Sequence, residues 1–443
     1  MVYIGIDDTD SRKSMCTTYL ATLVIESLIR EGFCLMDYPE LLRLNPNIPW
    51  KTRGNGALAI SVGLGGEKKK RIGDRFWICD GDECDPESVF TIVRDIVEKN
   101  ACFSDPSTNP GFVVSREKFP PSYYKKCVEE LSSVDEALKI LNGSDALHMG
   151  YKNARGLIGA TAAVSRPPEK HTYELITYRM RECIGRDRYV ERESVIAMDG
   201  TFPSTFDNYD YENKHVCIAP NSPCPVLFGI RGVDADLEGV LEILRSETPE
   251  RWIVYRTNQA TDDHLRERGI GELKKHTSAI VNGWVSGNPS IIRGGHVIFK
   301  LSDLNGNTID CAAYEPTKNF RNVILHLSRG DMVVVYGGLN LYSTLNIEKI
   351  EIKELVKLHQ NPVCCGKSMK SKGKNKGYKC AKCGRMEMKC LEKDRKIARG
   401  FYEVPPSARR HLSMPLKLMQ DSFPHHTSAI PEKPSAPEEI SFR

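Results

Sequence analysis

The sequence predicts a multidomain protein that is α/β in its first part and all-β further on. Three observations predict this. At 443 residues the chain is too long for one hydrophobic core. Strand and helix patterns alternate up to about residue 265, then give way to short alternating strands from about 273. A Cys-x-x-Cys-Gly turn, Cys380 to Gly384, follows the last of them. The boundaries expected are 1–150, 151–270, 271–356 and 357–423, with a tail over 424–443.

Composition narrows the class. Hydrophobic residues make up 40% and charged residues 27%, an ordinary globular mixture. No apolar run reaches membrane-spanning length and the N-terminus has no signal-peptide pattern, so a cytoplasmic protein without membrane contact is expected. Fifteen cysteines in so long a chain suggest reduced thiols plus a metal site, not a disulfide framework. The net charge of +4 hides an asymmetry: Cys364–Arg410 carries fifteen Lys/Arg against four Asp/Glu, a local +11 that leaves −7 for the rest. A basic module on a slightly acidic body points to nucleic acid at that end.

The first region opens with Ile4-Gly5-Ile6-Asp7-Asp8-Thr9-Asp10-Ser11, a short buried strand entering an acidic turn. A hydroxyl-rich turn, Ser14 to Thr18, leads into a helix over about 17–31. Clustered carboxylates repel, and a hard cation such as Mg²⁺ relieves that; an Asp cap on a solvated turn is the alternative. Next, Leu44 to Ala57 holds Lys51, Thr52, Arg53, Gly54, Asn55 and Gly56. Glycine turns admit a phosphate and Lys/Arg neutralise it, although the spacing is not that of a P-loop. An acidic turn and a basic glycine turn are the two halves of a phosphoryl-transfer site. Further strands are expected near 57–62 and 75–79, with helices near 86–99, 121–131 and 135–148. The second acidic run, Asp80 to Asp85, is either a turn with a helix cap ahead of Pro86 or part of a cation site, and the turn is favoured. Asn153 to Val164 is rich in small residues, which let backbones or a ligand approach; a tight helix-packing surface is the favoured reading.

In the second region, strands near 173–178, 217–219, 225–232 and 252–256 and a helix at 237–244 fit a ferredoxin-like α+β sandwich. Arg256 to His264 crowds polar residues at a strand end, either a ligand site or an exposed loop; His264 has no assigned role. In the third, five strands (278–285, 296–301, 308–313, 332–339, 345–352) and a helix-like stretch near 320–327 give the pattern of an OB-fold β-barrel, a fold that often binds single-stranded nucleic acid. In the fourth, Cys380 and Cys383 form a zinc knuckle, with Cys365 and Cys364 as partners. Adjacent cysteines both ligate only with a distorted backbone, so Cys390 stays open as the fourth ligand. Arg395 to His411 interleaves basic and aromatic residues, which suits phosphate contact and stacking.

The motifs IGIDDTDS with MCTTYL, and RLNPNIPWKTRGNGA, resemble those of the archaeal tRNA-isoleucine 2-agmatinylcytidine (agmatidine) synthetases, and the resemblance covers nearly the whole chain. It implies a kinase-like α/β catalytic domain over 1–150 and a zinc ribbon with a tRNA-binding role at the C-terminus. It also implies a ligase of EC 6.3.4 type. ATP activates the C2 oxygen of the wobble cytidine of tRNA-Ile with a CAU anticodon; agmatine then displaces it, leaving agmatidine, AMP and phosphate, and the tRNA decodes AUA. On this reading Asp7, Asp8, Asp10, Thr18, Lys51 and Arg53 are catalytic. Thr18 becomes phosphorylated in turnover, with Thr17 beside it as an alternative. Thr9, Ser11, Thr52, Gly54, Asn55 and Gly56 hold ATP, and ATP, Mg²⁺ and Zn²⁺ are required. Agmatine is a dication, so its pocket is expected to carry carboxylates; Asp199, Asp207, Asp234 and Asp236 are candidates. A non-catalytic single-strand binder and a metal-dependent phosphoesterase are the competing classes: the first leaves the two N-terminal turns unexplained, the second needs no amine.

Overall fold

The computed structural model describes residues 1–52, 54–167 and 169–422. Arg53 and the expected tail 424–443 lie outside the described residues. One twelve-stranded sheet runs through residues 2–257. Third from one edge of its main path, Val2–Asp7 pairs antiparallel with Gly56–Leu64 on one side and Gly111–Ser115 on the other. Its side chains alternate between the two faces of the sheet. Val2, Ile4 and Ile6 are fully buried in the same core as the helices Thr17–Arg30 and Pro86–Asn100. Gly5 faces the helix Gly156–Val164 on the other side, where a Cβ would lie 2.1 Å from the Ala160 carbonyl oxygen. The small residues of 153–164 thus let a helix backbone lie directly on that strand. The second acidic run is a cap: Asp85 Oδ2 accepts from the Ser88 amide at 2.9 Å at the start of Pro86–Asn100.

The same sheet continues into the second region, because Pro249–Thr257 pairs parallel with Glu40–Arg43. The elements there run Thr172–Arg179, helix Arg192–Thr201, Thr205–Phe206, Val226–Gly232, helix Val240–Ile243, Pro249–Thr257. Numbered along the chain, their four strands lie in the order 2-3-1-4, all antiparallel. The strand expected at 217–219 is instead the two-residue His215–Val216, paired only with Tyr209–Asp210. Residues 217–219 form no regular strand, although the Gly229 amide on Val226–Gly232 donates to the Ile218 carbonyl at 2.9 Å.

Ser278–Ile292, His296–Ser302, Thr308–Ala313, Met332–Leu339 and Thr344–Glu354 form a five-stranded barrel, closed by parallel pairing of the third and fifth strands. The helix Phe320–Leu325 lies between the third and fourth. A further strand, Gly400–Glu403, pairs with the fifth. The ribbon is inserted between these last two, on a neck where Leu358–Gln360 pairs with Leu391–Lys393.

Beyond Glu403 the chain turns back onto the first two regions. The amides of Ala260 and Asp262 donate to the carbonyls of His411 and Leu412 at 2.8 and 2.9 Å. Leu412 is buried in one apolar cluster with Leu42, Leu44 and Leu157. The barrel is tied to the same seam by a buried contact, His264 Nε2–Glu348 Oε2 at 3.0 Å, and by two part-buried ion pairs, Lys349 Nζ–Asp262 Oδ2 at 2.5 Å and Arg410 Nη1–Glu348 Oε1 at 3.2 Å. Most of the basic–aromatic segment is therefore engaged within the protein. Arg395 pairs with the fully buried Asp331, and Arg409 with Asp207 and Glu403, while Lys396 and Arg399 stay exposed. Residues 257–261 are likewise a buried part of this seam, not an exposed loop; Asn258 exchanges hydrogen bonds with the Arg43 backbone.

Candidate active site and cysteine ribbon

The acidic turn is shaped by its backbone. Asp8 has φ +55°, a left-handed conformation that turns the chain sharply after the strand. Its amide donates to Asp7 Oδ1 at 2.6 Å. Asp7 lies against the start of the helix Gly156–Val164, so close that a Cβ on Gly159 would sit 2.0 Å from Asp7 Oδ2. Burial, and then the charge of Asp8, push the Asp7 carboxyl well above the usual carboxylate range. Burial raises Asp8 as well, to about 7, against the pull of Arg155. Asp10 Oδ1 accepts from the Thr17 amide at 2.7 Å and from Thr17 Oγ1 at 3.2 Å, holding the turn to the next helix.

Asp7, Asp8 and Asp10 line one narrow cleft together with Trp50, Lys51, Thr52, Asn55 and Gly56. The two turns, some forty residues apart in sequence, are thus brought face to face. Lys51 Nζ donates to the Pro46 carbonyl at 2.5 Å. Although the residue as a whole is exposed, its ammonium is crowded by protein, and that burial, with Arg410 beside it, brings its pKa down to about 8. Asn55 has φ +50° and donates from Nδ2 to the Asn45 carbonyl at 3.0 Å, which closes the loop on itself.

Thr18 and Gly54 line a second cleft of about 370 Å³ that shares Asp10 and Gly56 with the first. Arg43, Glu174, Arg231 and His411 complete its polar wall. Thr17 and Thr18, alike in sequence, separate here. Thr17 is 3% exposed and bonded to Asp10, while Thr18 is half-buried and faces the cleft. Thr9 and Ser11 line neither cleft. Both are fully buried, Thr9 donating to Thr17 Oγ1 at 3.1 Å and Ser11 to Asp105 Oδ2 at 2.9 Å. The four carboxylates offered for agmatine are also elsewhere: Asp199 and Asp207 line a separate pocket beside Pro405 and Arg409, and Asp234 and Asp236 are exposed.

Two site residues stood in the sequence only as members of longer stretches, 153–164 and 395–411, with no role of their own. Arg155 donates to Asp8 Oδ2 from Nε at 2.9 Å and lies within 2.8 Å of the same oxygen through Nη2. His411 reaches the second cleft from the far end of the chain. Its nearness to Arg43 and Glu174 follows only from the fold.

In the ribbon, the Sγ atoms of Cys364, Cys365, Cys380 and Cys383 lie within 4.8 Å of one another; Cys390 is not in the group. Thiolates around tetrahedral zinc, with Zn–S near 2.3 Å, stand about 3.8 Å apart. Cys364 lies 3.9 Å from Cys365 and 3.5 Å from Cys383. Neighbouring cysteines converge because Cys365 and Gly366 take φ +50° and +74°. Backbone N–H groups of Cys383 and Lys382 aimed at Cys380 lower its thiol to about 6. The donor set fits zinc.

Fold and site together define a multidomain α/β protein in which an acidic-and-basic cleft shares a chain with a closed five-stranded barrel and a four-cysteine ribbon. Three family models match it: the TiaS TCKD domain at residues 3–153, the TiaS FLD domain at 154–264 and the TiaS C-terminal zinc ribbon domain at 361–399. The tRNA(isoleucine-2) 2-agmatinylcytidine synthetase TiaS of Methanocaldococcus jannaschii is 46% identical over 95% of this chain and 99% of its own. Among solved structures, a complex of TiaS with tRNA(isoleucine-2) and ATP is 40% identical with a TM-score of 0.81, covering 94% of this chain and 97% of that one. A complex of TiaS with the same tRNA, AMPCPP and agmatine is 38% identical with a TM-score of 0.79, covering 94% and 96%. The chain belongs to the family of tRNA(isoleucine-2) 2-agmatinylcytidine synthetases, TiaS.

Proposed function

We propose that this protein uses ATP to join agmatine to C2 of the wobble cytidine of tRNA-Ile with the CAU anticodon. The observation that carries the reading is the meeting of Asp7, Asp8 and Asp10 with the Lys51–Gly56 turn on one cleft, in a chain of this family. The reaction is a C–N ligation of EC 6.3.4 type, carried out in the cytoplasm, in which ATP and one water yield AMP and two phosphates, one of which carries away the C2 oxygen of cytidine. A carbonyl oxygen leaves poorly until it is phosphorylated; an amine then attacks the activated carbon. The product tRNA decodes AUA.

Residues 1–150 serve as the kinase-like domain and 151–270 as a ferredoxin-like domain, which the four-strand order supports. The barrel over 271–356 is an OB fold. The ribbon and basic module over 357–423 and the OB fold grip the tRNA. Exposed lysines, among them Lys367, Lys370, Lys372 and Lys374, give the ribbon its phosphate-facing charge.

Asp7, Asp8 and Asp10 would hold Mg²⁺; their burial and mutual repulsion are what a hard dication relieves, and the donor set fits it. Bound there, the ion neutralises phosphoryl charge. Lys51, with Arg53, binds the phosphates, and the backbone of Thr52 to Gly56 lets them approach. Thr18 is the phosphorylated threonine: its exposure to the cleft supports this, and the burial of Thr17 argues against its neighbour. Thr9 and Ser11 act by bracing the turn. Cys364, Cys365, Cys380 and Cys383 would bind zinc, which supplies the crosslink that so small a ribbon needs.

The test is the mass of tRNA-Ile after incubation with the protein, ATP, Mg²⁺ and agmatine. A gain on the wobble cytidine that needs both ATP and agmatine is expected. ATP consumption without a gain would refute the substrate assignment.

A further inference from the structure

The second cleft holds a group that the chemistry above leaves unassigned. His411 Nδ1 lies 2.9 Å from Gln259 Oε1. Gln259 is fully buried and its orientation is fixed: Nε2 donates to Glu174 Oε2 at 2.5 Å and its backbone N–H to Thr257 Oγ1 at 3.0 Å. A carboxylate accepts only from the amide NH₂, so Oε1 faces the imidazole. Nδ1 then carries the proton and Nε2 keeps its lone pair.

That lone pair opens on the cleft. Nε2 makes no hydrogen bond among the described residues. It faces Gly54, where a Cβ would stand 3.5 Å from it and 2.7 Å from Arg43 Nη1, so the bare glycine keeps the space above both groups open. Arg43 and Arg231 lie against the same Glu174, at 3.9 and 3.7 Å. The cleft therefore presents one fixed acceptor beside two guanidinium donors. The charges that act on the imidazole, after burial, are Arg43, Arg231 and Lys51, which keep it neutral and make its surroundings hostile to an ammonium. A neutral N–H is what this acceptor suits.

A cytosine edge has that complement, an exocyclic N4 amino donor followed by the N3 and O2 acceptors. Uracil reverses the first two and would set O4 against the Nε2 lone pair. Resting on the cytidine-modifying function above, we propose that His411 is a specificity-determining residue whose Nε2 accepts from the N4 amino group of the target cytosine, with Arg43 and Arg231 on its N3 and O2 side. Gln259 is the positioning residue that sets the tautomer.

The experiment pairs a protein change with a substrate change. Full-length wild type, His411→Phe and His411→Gln are each given tRNA-Ile with cytidine or 4-deaminocytidine at the wobble position, and kcat/KM is read from the ATP- and agmatine-dependent mass gain. Removing the imidazole or the amino group is expected to cost about tenfold to a hundredfold, because either leaves a buried polar partner unpaired. Removing both should cost little more than removing one, and His411→Gln, which keeps an acceptor oxygen, should recover most of the loss. An unchanged preference for cytidine over 4-deaminocytidine in His411→Phe overturns the inference; a merely structural histidine gives that result, because it lowers both substrates alike. If His411→Phe fails to unfold cooperatively, Gln259→Met in the same cycle decides, and a wild-type preference there overturns the inference equally. No mass gain by wild type on ordinary cytidine is a different result, and it removes the function reading along with the inference.

Discussion

Arg155 holds a single carboxylate oxygen of Asp8 with two guanidinium nitrogens, Nε at 2.9 Å and Nη2 at 2.8 Å. This contact limits how far burial raises Asp8, whose pKa stands at about 7. A raised carboxylate loses its charge as pH falls through that value, so cation-free Asp8 is protonated below about pH 7, and at limiting Mg²⁺ the activity that needs it ionised should fall there. Arg155→Ala removes the opposing charge and should move this acidic limb to higher pH. At pH 7 we expect a loss of about tenfold or more in kcat/KM, partly recovered at pH 8.5, with tRNA affinity unchanged. A pH–rate profile of both proteins checks it; an unmoved limb would show that Asp8 does not set it.

Gly159→Ala places a methyl group where Asp7 Oδ2 now lies. The carboxylate has to move, and displaced positioning groups cost on the order of a hundredfold. Single-turnover rates should fall by about that much while the far-ultraviolet circular dichroism stays as in wild type. Wild-type turnover would show that Asp7 has no role that depends on its placement.

Zinc removal should act on tRNA binding more than on ATP chemistry. Cys380→Ser, or chelation, should unfold the ribbon locally and weaken tRNA affinity about tenfold or more, since several exposed lysines lose their placement. The clean deletion excises residues 361–390 and keeps the neck. Truncation after Leu358 would also strip Gly400–Glu403, Arg410 and Leu412 from the barrel and the catalytic seam. Unchanged affinity in the excision variant would refute the role of the ribbon.

Glu348 should make the seam acid-labile. Despite full burial, the charges of His264 and Arg410 lower its pKa from the ordinary 4.5 to about 2. A depressed carboxylate stabilises the fold at pH values above its unfolded pKa, and this is lost as pH falls toward the folded value. Wild type should exceed Glu348→Gln by about 3 kcal/mol near neutrality, and the difference should shrink between about pH 4.5 and 2. Urea unfolding at several pH values checks it; a pH-independent difference would mean that the ion pairs add nothing beyond packing.

Local patterns carried the parts that the sequence made legible. The acidic turn, the glycine turn, the second knuckle and the five barrel strands each sit within a few residues of the signals that announce them. Their convergence on one cleft was expected from complementary chemistry alone; the means, the pairing of Val2–Asp7 with Gly56–Leu64, did not show. Arg155 and His411 stand about 147 and 152 residues from Asp8 and Gln259, the partners that give them meaning. Arg409 looked like a phosphate ligand for the same reason: a basic residue reads alike in solution and in a buried pair with Asp207, some two hundred residues earlier. Thr9 and Ser11 stood in the right motif, yet nothing local distinguishes a hydroxyl that faces a ligand from one that braces the turn.

The returning segment also fixes an order of events during synthesis. His411 and Leu412 lie against residues 42–44 and 257–260, yet they follow the last strand of the large sheet by about 150 residues. A ribosome making this chain releases that sheet before the residues that complete the second cleft are available. A nascent protein therefore has its acidic turn long before it has a finished pocket, and the cleft is completed only once residues 411 and 412 have been made and have folded back.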